Sequence, residues 1–170
     1  AAFVRGLTEG NVAATAKHFP GFGAAVENTD TSAVRIPVPL RELRTVDRRP
    51  FRAAIRAGAR LVMLSSAVYP ALSAQPAVFS PRVVQAELRD GLGFEGVTIS
   101  DDLEAPAFAV HDGASGAALR AAAAGVDLLL FARTYAGAAR ATRALARATM
   151  LWPMFSSTRS RICAIGRTLS

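Results

Sequence analysis

The stretch that decides the fold is Gly96-Val-Thr-Ile-Ser-Asp-Asp-Leu103. Residues 97–100 are β-branched or small and uncharged, which is typical of a short buried strand. Two carboxylates, Asp101 and Asp102, follow directly. Because an unpaired charge is costly to bury, this pair indicates a role other than packing. In α/β folds with parallel strands, ligands bind at the carboxyl ends of the strands.

The same order of elements repeats along the chain: a strand, a polar loop, a helix, a glycine and the next strand. Strands are predicted to begin near residues 12, 60, 97 and 126. This alternation predicts an α/β fold with parallel strands and helices outside them. A closed eight-unit barrel needs about 250 residues, so the predicted units make half of one. An open doubly wound sheet would fit 170 residues better.

The composition argues against several classes of partner. The net charge is +7, but the basic residues are almost all arginines spread over predicted helices, so we expect no nucleic-acid partner. The single cysteine, Cys163, excludes an intrachain disulfide, and no spacing of His, Asp or Glu indicates a metal or other cofactor. The apolar run 121–132 is short and contains Asp127, so no membrane span is predicted. The sequence does not select between cytoplasm and export.

Polar side chains follow three of the predicted strands at their carboxyl ends: Lys17 and His18, Ser65 and Ser66, and Asp101 and Asp102. In a parallel barrel these positions share one mouth. Lys17 is the only lysine of an arginine-rich chain, which indicates a site that needs a compact ammonium to reach a hydroxyl or carboxylate. His18, directly beside it and before Pro-Gly, is interpreted as part of the same site.

Two motifs resemble a known family. Lys17-His18-Phe19-Pro20-Gly21 resembles the KHFPG signature of glycoside hydrolase family 3, in particular of its bacterial β-N-acetylhexosaminidase branch. Residues 99–103, Ile-Ser-Asp-Asp-Leu, resemble the nucleophile motif of that branch. The connecting stretches resemble the family in order and spacing, at 63–70, 77–80, 92–96 and 124–127. The resemblance covers about residues 1–150.

This resemblance implies a (β/α)8 TIM-barrel domain, of which residues 1–150 supply about the last four units. It implies a carbohydrate substrate, terminal β-linked N-acetylglucosamine of cell-wall or chitin-type fragments, and a retaining mechanism in which Asp101 attacks the anomeric carbon. Lys17 and His18 correspond to residues that hold sugar hydroxyls. Asp102 is expected in the same substrate-binding set, where it organises the site by accepting hydrogen bonds.

The chain departs from the family at its general acid/base. The branch uses an Asp-Ser-His dyad in the loop after KHFPG, and the two dyad positions are Asn28 and Asp30 here. Two further family histidines are replaced by Phe22 and Ser66.

Asp30 is the predicted substitute for the missing acid, because a carboxyl group protonates a leaving oxygen when burial raises its pKa. Glu27 is a weaker candidate and Glu104 weaker still. Asn-Thr-Asp-Thr-Ser is also good turn chemistry, so an ordinary turn residue is the alternative for Asp30. His111 is expected to be a surface or capping residue.

Other readings of the chain stay open at this point. The missing histidines favour a non-catalytic or incomplete barrel that binds sugar or a partner chain, and a β-glucosidase of the same family is a further alternative. Half a barrel leaves two sheet edges unpaired, so the remaining upstream units are predicted partners. Residues 151–170 form a divergent tail, in which residues 161–165 resemble the helix that closes the family's barrel.

Overall fold

A computed structural model describes residues 1–108, 113–150 and 163–166. In these residues five strands form one sheet in the order of the sequence: β1 (Thr15–Phe19), β2 (Leu61–Leu64), β3 (Val97–Asp102), β4 (Leu128–Phe131) and β5 (Cys163–Gly166). Every neighbouring pair is parallel. A doubly wound sheet reverses its strand order at a switch point, whereas a barrel keeps the order of the sequence. The predicted α/β class of TIM-barrel type is therefore confirmed, and the open doubly wound alternative is wrong.

Helix α1 (Ala2–Glu9) precedes β1, and the helices α2 (Leu40–Glu42), α3 (Arg49–Arg56), α4 (Gly113–Ala124) and α5 (Tyr135–Met150) lie between successive strands. A π-type turn, Leu43–Asp47, joins α2 to α3, and a π-type helix, Arg82–Asp90, precedes β3. Gly58 and Gly125 follow α3 and α4 with φ of 93° and 94°, a region that L side chains rarely adopt. They turn the chain towards β2 and β4. None of the described helices has the length and apolar character that crossing a bilayer requires.

The two faces of the sheet have different surroundings. On β2, Val62 and Leu64 are fully buried in the core cluster that includes Leu88 of the π-type helix. The alternate residues of β2, Leu61 and Met63, are only half-buried and lie outside that cluster. Because side chains alternate between the faces of a strand, helices cover the outer face, and the inner, apolar face is half open.

Charged side chains join the elements away from the carboxyl ends of the strands. Asp127, at the amino end of β4, accepts hydrogen bonds from the backbone and hydroxyl of Thr98 at 2.8 Å and from Arg89 at 2.6 Å. Glu87, which is 3% exposed, accepts hydrogen bonds from Arg44 and Arg48. Burial would raise the pKa of Glu87, but the hydrogen bond from Arg44 and the charge of Arg48 outweigh it and hold that pKa below its ordinary value. This stabilisation is present above the ordinary glutamate pKa and is lost as pH falls through the lowered one.

The first strand lies further along the chain than predicted. β1 is Thr15–Phe19, so Lys17 and His18 belong to the strand and do not follow it. Phe19 explains the difference, because its ring is fully buried and meets Phe51 edge-on at 5.2 Å between centroids. The peptide bonds Lys17–His18 and Phe19–Pro20 are both cis.

The tail also differs from the prediction. Residues 163–166 form β5, which pairs with β4 from Leu128↔Cys163 to Phe131↔Gly166, so the expected closing helix is wrong over these residues. Strand β4 offers a row of backbone donors and acceptors that a helix would leave without partners. The rest of the tail and His111 lie outside the described residues, and the division at residue 150 stays a prediction.

Candidate active site

The neighbouring carboxylates of β3 point to opposite faces of the sheet. Asp101 lies on the same face as Ile99, the half-open inner face. Asp102 lies on the same face as Ser100, which is buried. Two identical side chains in sequence therefore have different surroundings and different chemical tasks.

Asp101 lies at the mouth of the sheet together with residues of β1 and of the loop after β2. Its Oδ2 is 3.6 Å from His18 Nε2 and accepts a hydrogen bond from the Ser66 hydroxyl at 3.4 Å. Its Oδ1 accepts a hydrogen bond from the backbone N–H of Asp102 at 3.0 Å. Oδ1 is thus held by the backbone, whereas Oδ2 makes two long contacts, to His18 and Ser66. This arrangement suits a carboxylate nucleophile.

Asp102 is held by the loops that follow β3 and β4. Its Oδ1 accepts hydrogen bonds from the backbone N–H groups of Glu104 and Ala132, both at 3.1 Å. Its Oδ2 accepts one from Arg133 Nε at 2.9 Å. These are the contacts of a residue that organises the rim. A direct contact between Asp102 and substrate stays a prediction.

His18 is half-buried between Asp101 and Phe22, whose ring centroid lies 5.7 Å from its own. Burial lowers the pKa of His18 below its ordinary value, and the charge of Lys17 acts in the same direction. The negative charges of Asp101 and Asp30 oppose this shift without overcoming it. The imidazole is therefore mostly neutral at pH 7, and it presents one donor and one acceptor.

The loop 22–32 lies over the same rim. Asp30 has an exposed side chain that accepts a hydrogen bond from Asn28 Nδ2 at 3.3 Å, and its backbone carbonyl accepts one from Arg133 at 3.2 Å. The effect of its charge on the pKa of His18 is consistent with this position. The described residues do not provide the burial that the acid role requires. Lys17 is also exposed.

The two weaker acid candidates are already engaged. Glu27 accepts a hydrogen bond from the hydroxyl of Ser32 at 2.6 Å, within its own loop. Glu104 accepts hydrogen bonds from the backbone of Arg133 at 3.1 Å and of Thr134 at 2.8 Å, just before α5 begins. Neither carboxylate contacts His18 or Asp101 through a hydrogen bond in the described part of the chain.

The sequence analysis did not predict two residues that support the site. Tyr69, which is 1% exposed, donates a hydrogen bond from its hydroxyl to the carbonyl of Gly21 at 2.8 Å and so holds the turn after β1. Burial raises the pKa of Tyr69, so its hydroxyl stays a donor. Arg133 follows β4, and its place at a strand end is the signal by which it could have been found. The described residues contain no group of three or more metal-ligating side chains.

The contact between His18 and Asp101 makes a testable prediction. Changing Asp101 to Asn should lower the pKa of His18 further, because the change removes a negative charge that raises it. Changing Lys17 to Gln should raise it. The measurement is the NMR titration of the imidazole, assigned with a His18→Gln variant. An unchanged midpoint in Asp101→Asn would contradict the observed proximity.

Comparison with known proteins decides the family. The model of the glycosyl hydrolase family 3 N-terminal domain matches residues 1–160. The chain belongs to glycosyl hydrolase family 3. The family 3 chain is 44% identical to a beta-hexosaminidase of Stenotrophomonas maltophilia strain K279a. The alignment covers 76% of this chain and 39% of that protein. The chain is also 41% identical to an uncharacterized secreted glycosyl hydrolase of Arthroderma benhamiae, over an alignment that covers 99% of this chain and 50% of that protein.

Two solved structures have the same fold over most of this chain. A β-N-acetylglucosaminidase of Paenibacillus sp. FPU-7 superposes with a TM-score of 0.85 at 34% identity, over 90% of this chain and 30% of that one. A β-N-acetylhexosaminidase of Beutenbergia cavernae superposes with a TM-score of 0.83 at 36% identity, over 89% and 45%. The family 3 chain thus spans between 39% and 50% of the two curated relatives.

Proposed function

We propose that this chain carries the nucleophile rim of a retaining glycoside hydrolase that removes terminal β-linked N-acetylglucosamine from cell-wall or chitin-type fragments. The observation that supports this most strongly is Asp101, which faces the inner mouth 3.6 Å from His18 at the carboxyl end of β3. The printed names of the relatives, beta-hexosaminidase and β-N-acetylglucosaminidase, support the substrate class.

The proposed reaction has two displacements. In the first, Asp101 Oδ2 forms a bond to the anomeric carbon, the glycosidic C–O bond breaks, and the Asp30 carboxyl group gives its proton to the leaving oxygen. In the second, water attacks the anomeric carbon, Asp30 takes a proton from that water, and the ester bond to Asp101 breaks. Two inversions retain the β-configuration.

The neighbouring groups have supporting roles in this proposal. Lys17 donates hydrogen bonds to sugar hydroxyls, and the neutral His18 both donates to and accepts from them. Asp102 belongs to the substrate-binding set chiefly through the rim that it organises. Retaining enzymes hold their two carboxyl groups about 5 Å apart. Asp30 is exposed in the structure. The proposal therefore requires the loop 22–32 to close over bound sugar, which buries Asp30 and brings it to that separation.

The proposed site also needs the rest of a barrel. The inner face of β2 carries half-buried Leu61 and Met63, which further strands would cover. The chain spans 39% of the Stenotrophomonas relative, which leaves room for those strands in a longer protein. We therefore propose that the remaining barrel units are the partner of this chain.

A second candidate function is a non-catalytic barrel half that binds sugar or a partner chain. Four replacements favour it, because Phe22, Asn28, Asp30 and Ser66 stand where the resembled branch has its dyad and two further histidines. Only covalent chemistry distinguishes the two candidates.

Trapping of the glycosyl-enzyme tests the proposal. The probe is 5-fluoro-N-acetyl-β-glucosaminyl fluoride, in which the ring fluorine slows both steps while the fluoride leaving group favours the first. Incubated with the full-length protein, it should add one fluorinated N-acetylglucosaminyl group to the peptide that contains Asp101, detected by mass spectrometry.

Two controls define the result. Asp101→Asn should stay unlabelled, and 2-deoxy-2-fluoroglucosyl fluoride, which has no acetamido group, should label the parent much more slowly. Preferential labelling by the glucosyl probe would favour the β-glucosidase alternative. No labelling of Asp101 by either probe would favour the non-catalytic candidate.

A further inference from the structure

Arg133 joins two parts of the rim that are far apart in the sequence. Its Nε donates a hydrogen bond to Asp102 Oδ2 at 2.9 Å. Its Nη2 donates one to the backbone carbonyl of Asp30 at 3.2 Å, across a separation of 103 residues. One planar guanidinium therefore spans the end of β3 and the loop 22–32.

The base of Arg133 is itself fixed. Its backbone N–H donates a hydrogen bond to Glu104 Oε2 at 3.1 Å, and that of Ala132 donates one to Asp102 Oδ1 at 3.1 Å. The backbone of residues 132 and 133 is thus held by Asp102 and Glu104, and the Arg133 side chain is held in addition at Nε by Asp102. Such a guanidinium loses little further freedom when its remaining N–H groups bind a second partner.

Phe22 and Ala25 of the loop 22–32 pack against the apolar core, and Thr29 is buried. The hydrogen bonds of this loop among the described residues are local: Ala25 to Phe22, Thr31 and Ser32 to Asn28, Asn28 with Asp30, and Ser32 to Glu27. Within the described residues, the hydrogen bond from Arg133 is the one that connects this loop to the remainder of the chain. The hydrogen-bonded attachment of residues 28–32 to the rest of the chain therefore depends on Arg133.

We propose that Arg133 is a positioning residue that fastens the loop 22–32 to the β3 rim through Asp102, and so sets the position from which Asp30 closes towards Asp101. The role in catalysis rests on the proposed function. The fastening itself does not, since it is a property of the free protein. Arg133 touches no reacting atom and acts through the loop.

Hydrogen exchange of the free full-length protein tests the fastening. Changing Arg133 to Ala should speed exchange of the amides at 28–32 by about tenfold, as expected from losing a charge-assisted hydrogen bond. Arg140, exposed on α5, offers a matched control, and Arg140→Ala should leave these amides unchanged. Unchanged exchange in Arg133→Ala would overturn the proposal, whatever the catalytic activity is.

Arg133→Lys separates charge from geometry. Its ammonium keeps a positive charge beside Asp102 but lacks the planar fork that serves two acceptors in different directions. Exchange at 28–32 should therefore rise nearly as much as in Arg133→Ala. Full protection in the lysine variant would overturn the bridging role and leave a purely electrostatic one.

A double-mutant cycle tests the link to Asp30. On a substrate with a poor leaving group, Arg133→Ala should lower kcat by about tenfold in the parent and have little further effect once Asp30 is Ala, because both changes remove the same proton donor. Activated aryl glycosides should be affected less. Equal losses by Arg133→Ala in both backgrounds would overturn an action through Asp30.

Trapping and hydrogen exchange distinguish a failure of the proposed function from a failure of this inference. If the trapping experiment labels nothing, the proposed function fails, while the exchange result still decides the fastening. If trapping succeeds and exchange at 28–32 does not respond to Arg133→Ala, the proposed function stands and this inference fails.

Discussion

Asp101→Asn is expected to lower kcat for β-N-acetylglucosaminides by on the order of 10⁴-fold or more, because an amide does not form the ester intermediate. Asparagine has nearly the same shape, and its carbonyl oxygen still accepts the hydrogen bond from the Asp102 N–H. KM for a chromogenic aryl N-acetylglucosaminide should therefore change far less than kcat. The measurement is steady-state kinetics on the full-length protein.

The control for this loss is an exposed carboxylate on the helix that precedes β3. Asp90, exposed at the end of the helix Arg82–Asp90, serves, and Asp90→Asn should keep parental turnover. Azide adds a stereochemical check, because attack in an Asp101→Gly variant is a single inversion and should give the α-glycosyl azide. Parental turnover in Asp101→Asn would exclude Asp101 as the nucleophile.

Asp30→Ala is expected to lower kcat by about 10²-fold to 10⁴-fold for substrates with poor leaving groups, the usual contribution of a positioned general acid. Activated aryl glycosides should lose much less in the first step, because their leaving oxygen needs little protonation. The measurement is kcat for a series of aryl N-acetylglucosaminides with increasing leaving-group pKa. The slope of log kcat against leaving-group pKa should be steeper in the variant.

Glu27 is the matched control for Asp30, since it lies in the same loop with a carboxylate bound to Ser32. Glu27→Gln should leave the slope unchanged. Azide attack on the intermediate of Asp30→Ala is a second inversion, so it should give the β-glycosyl azide, the opposite anomer to that from Asp101→Gly. Equal losses across the leaving-group series would exclude Asp30 as the acid.

Local patterns predict much of this fold for a physical reason. Short uncharged stretches bounded by glycines, such as residues 97–100, are typical of strands, and glycines with positive φ such as Gly58 and Gly125 mark where helices end. Repeated strand–helix units then predict parallel strands. Strand β1 is displaced furthest from its predicted start, because Phe19 is buried against Phe51, a contact between elements.

The candidate site divides in the same way. A strand pattern implies that Asp101 and Asp102 face opposite ways, but only the pairing of β3 with β2 and β4 decides which of them faces the open mouth. The contact of Arg133 with Asp30 joins residues 103 positions apart, and no local rule predicts such a pair.

The sequence by itself determined the alternation of elements, the parallel sheet and the strand end that carries Asp101 and Asp102, because these follow from near neighbours along the chain. Tertiary structure alone decided the task of each carboxylate, the lowered pKa of His18 and the strand formed by residues 163–166. Those properties depend on burial, charge and backbone pairing supplied by distant segments, which act on a residue only after the chain has folded.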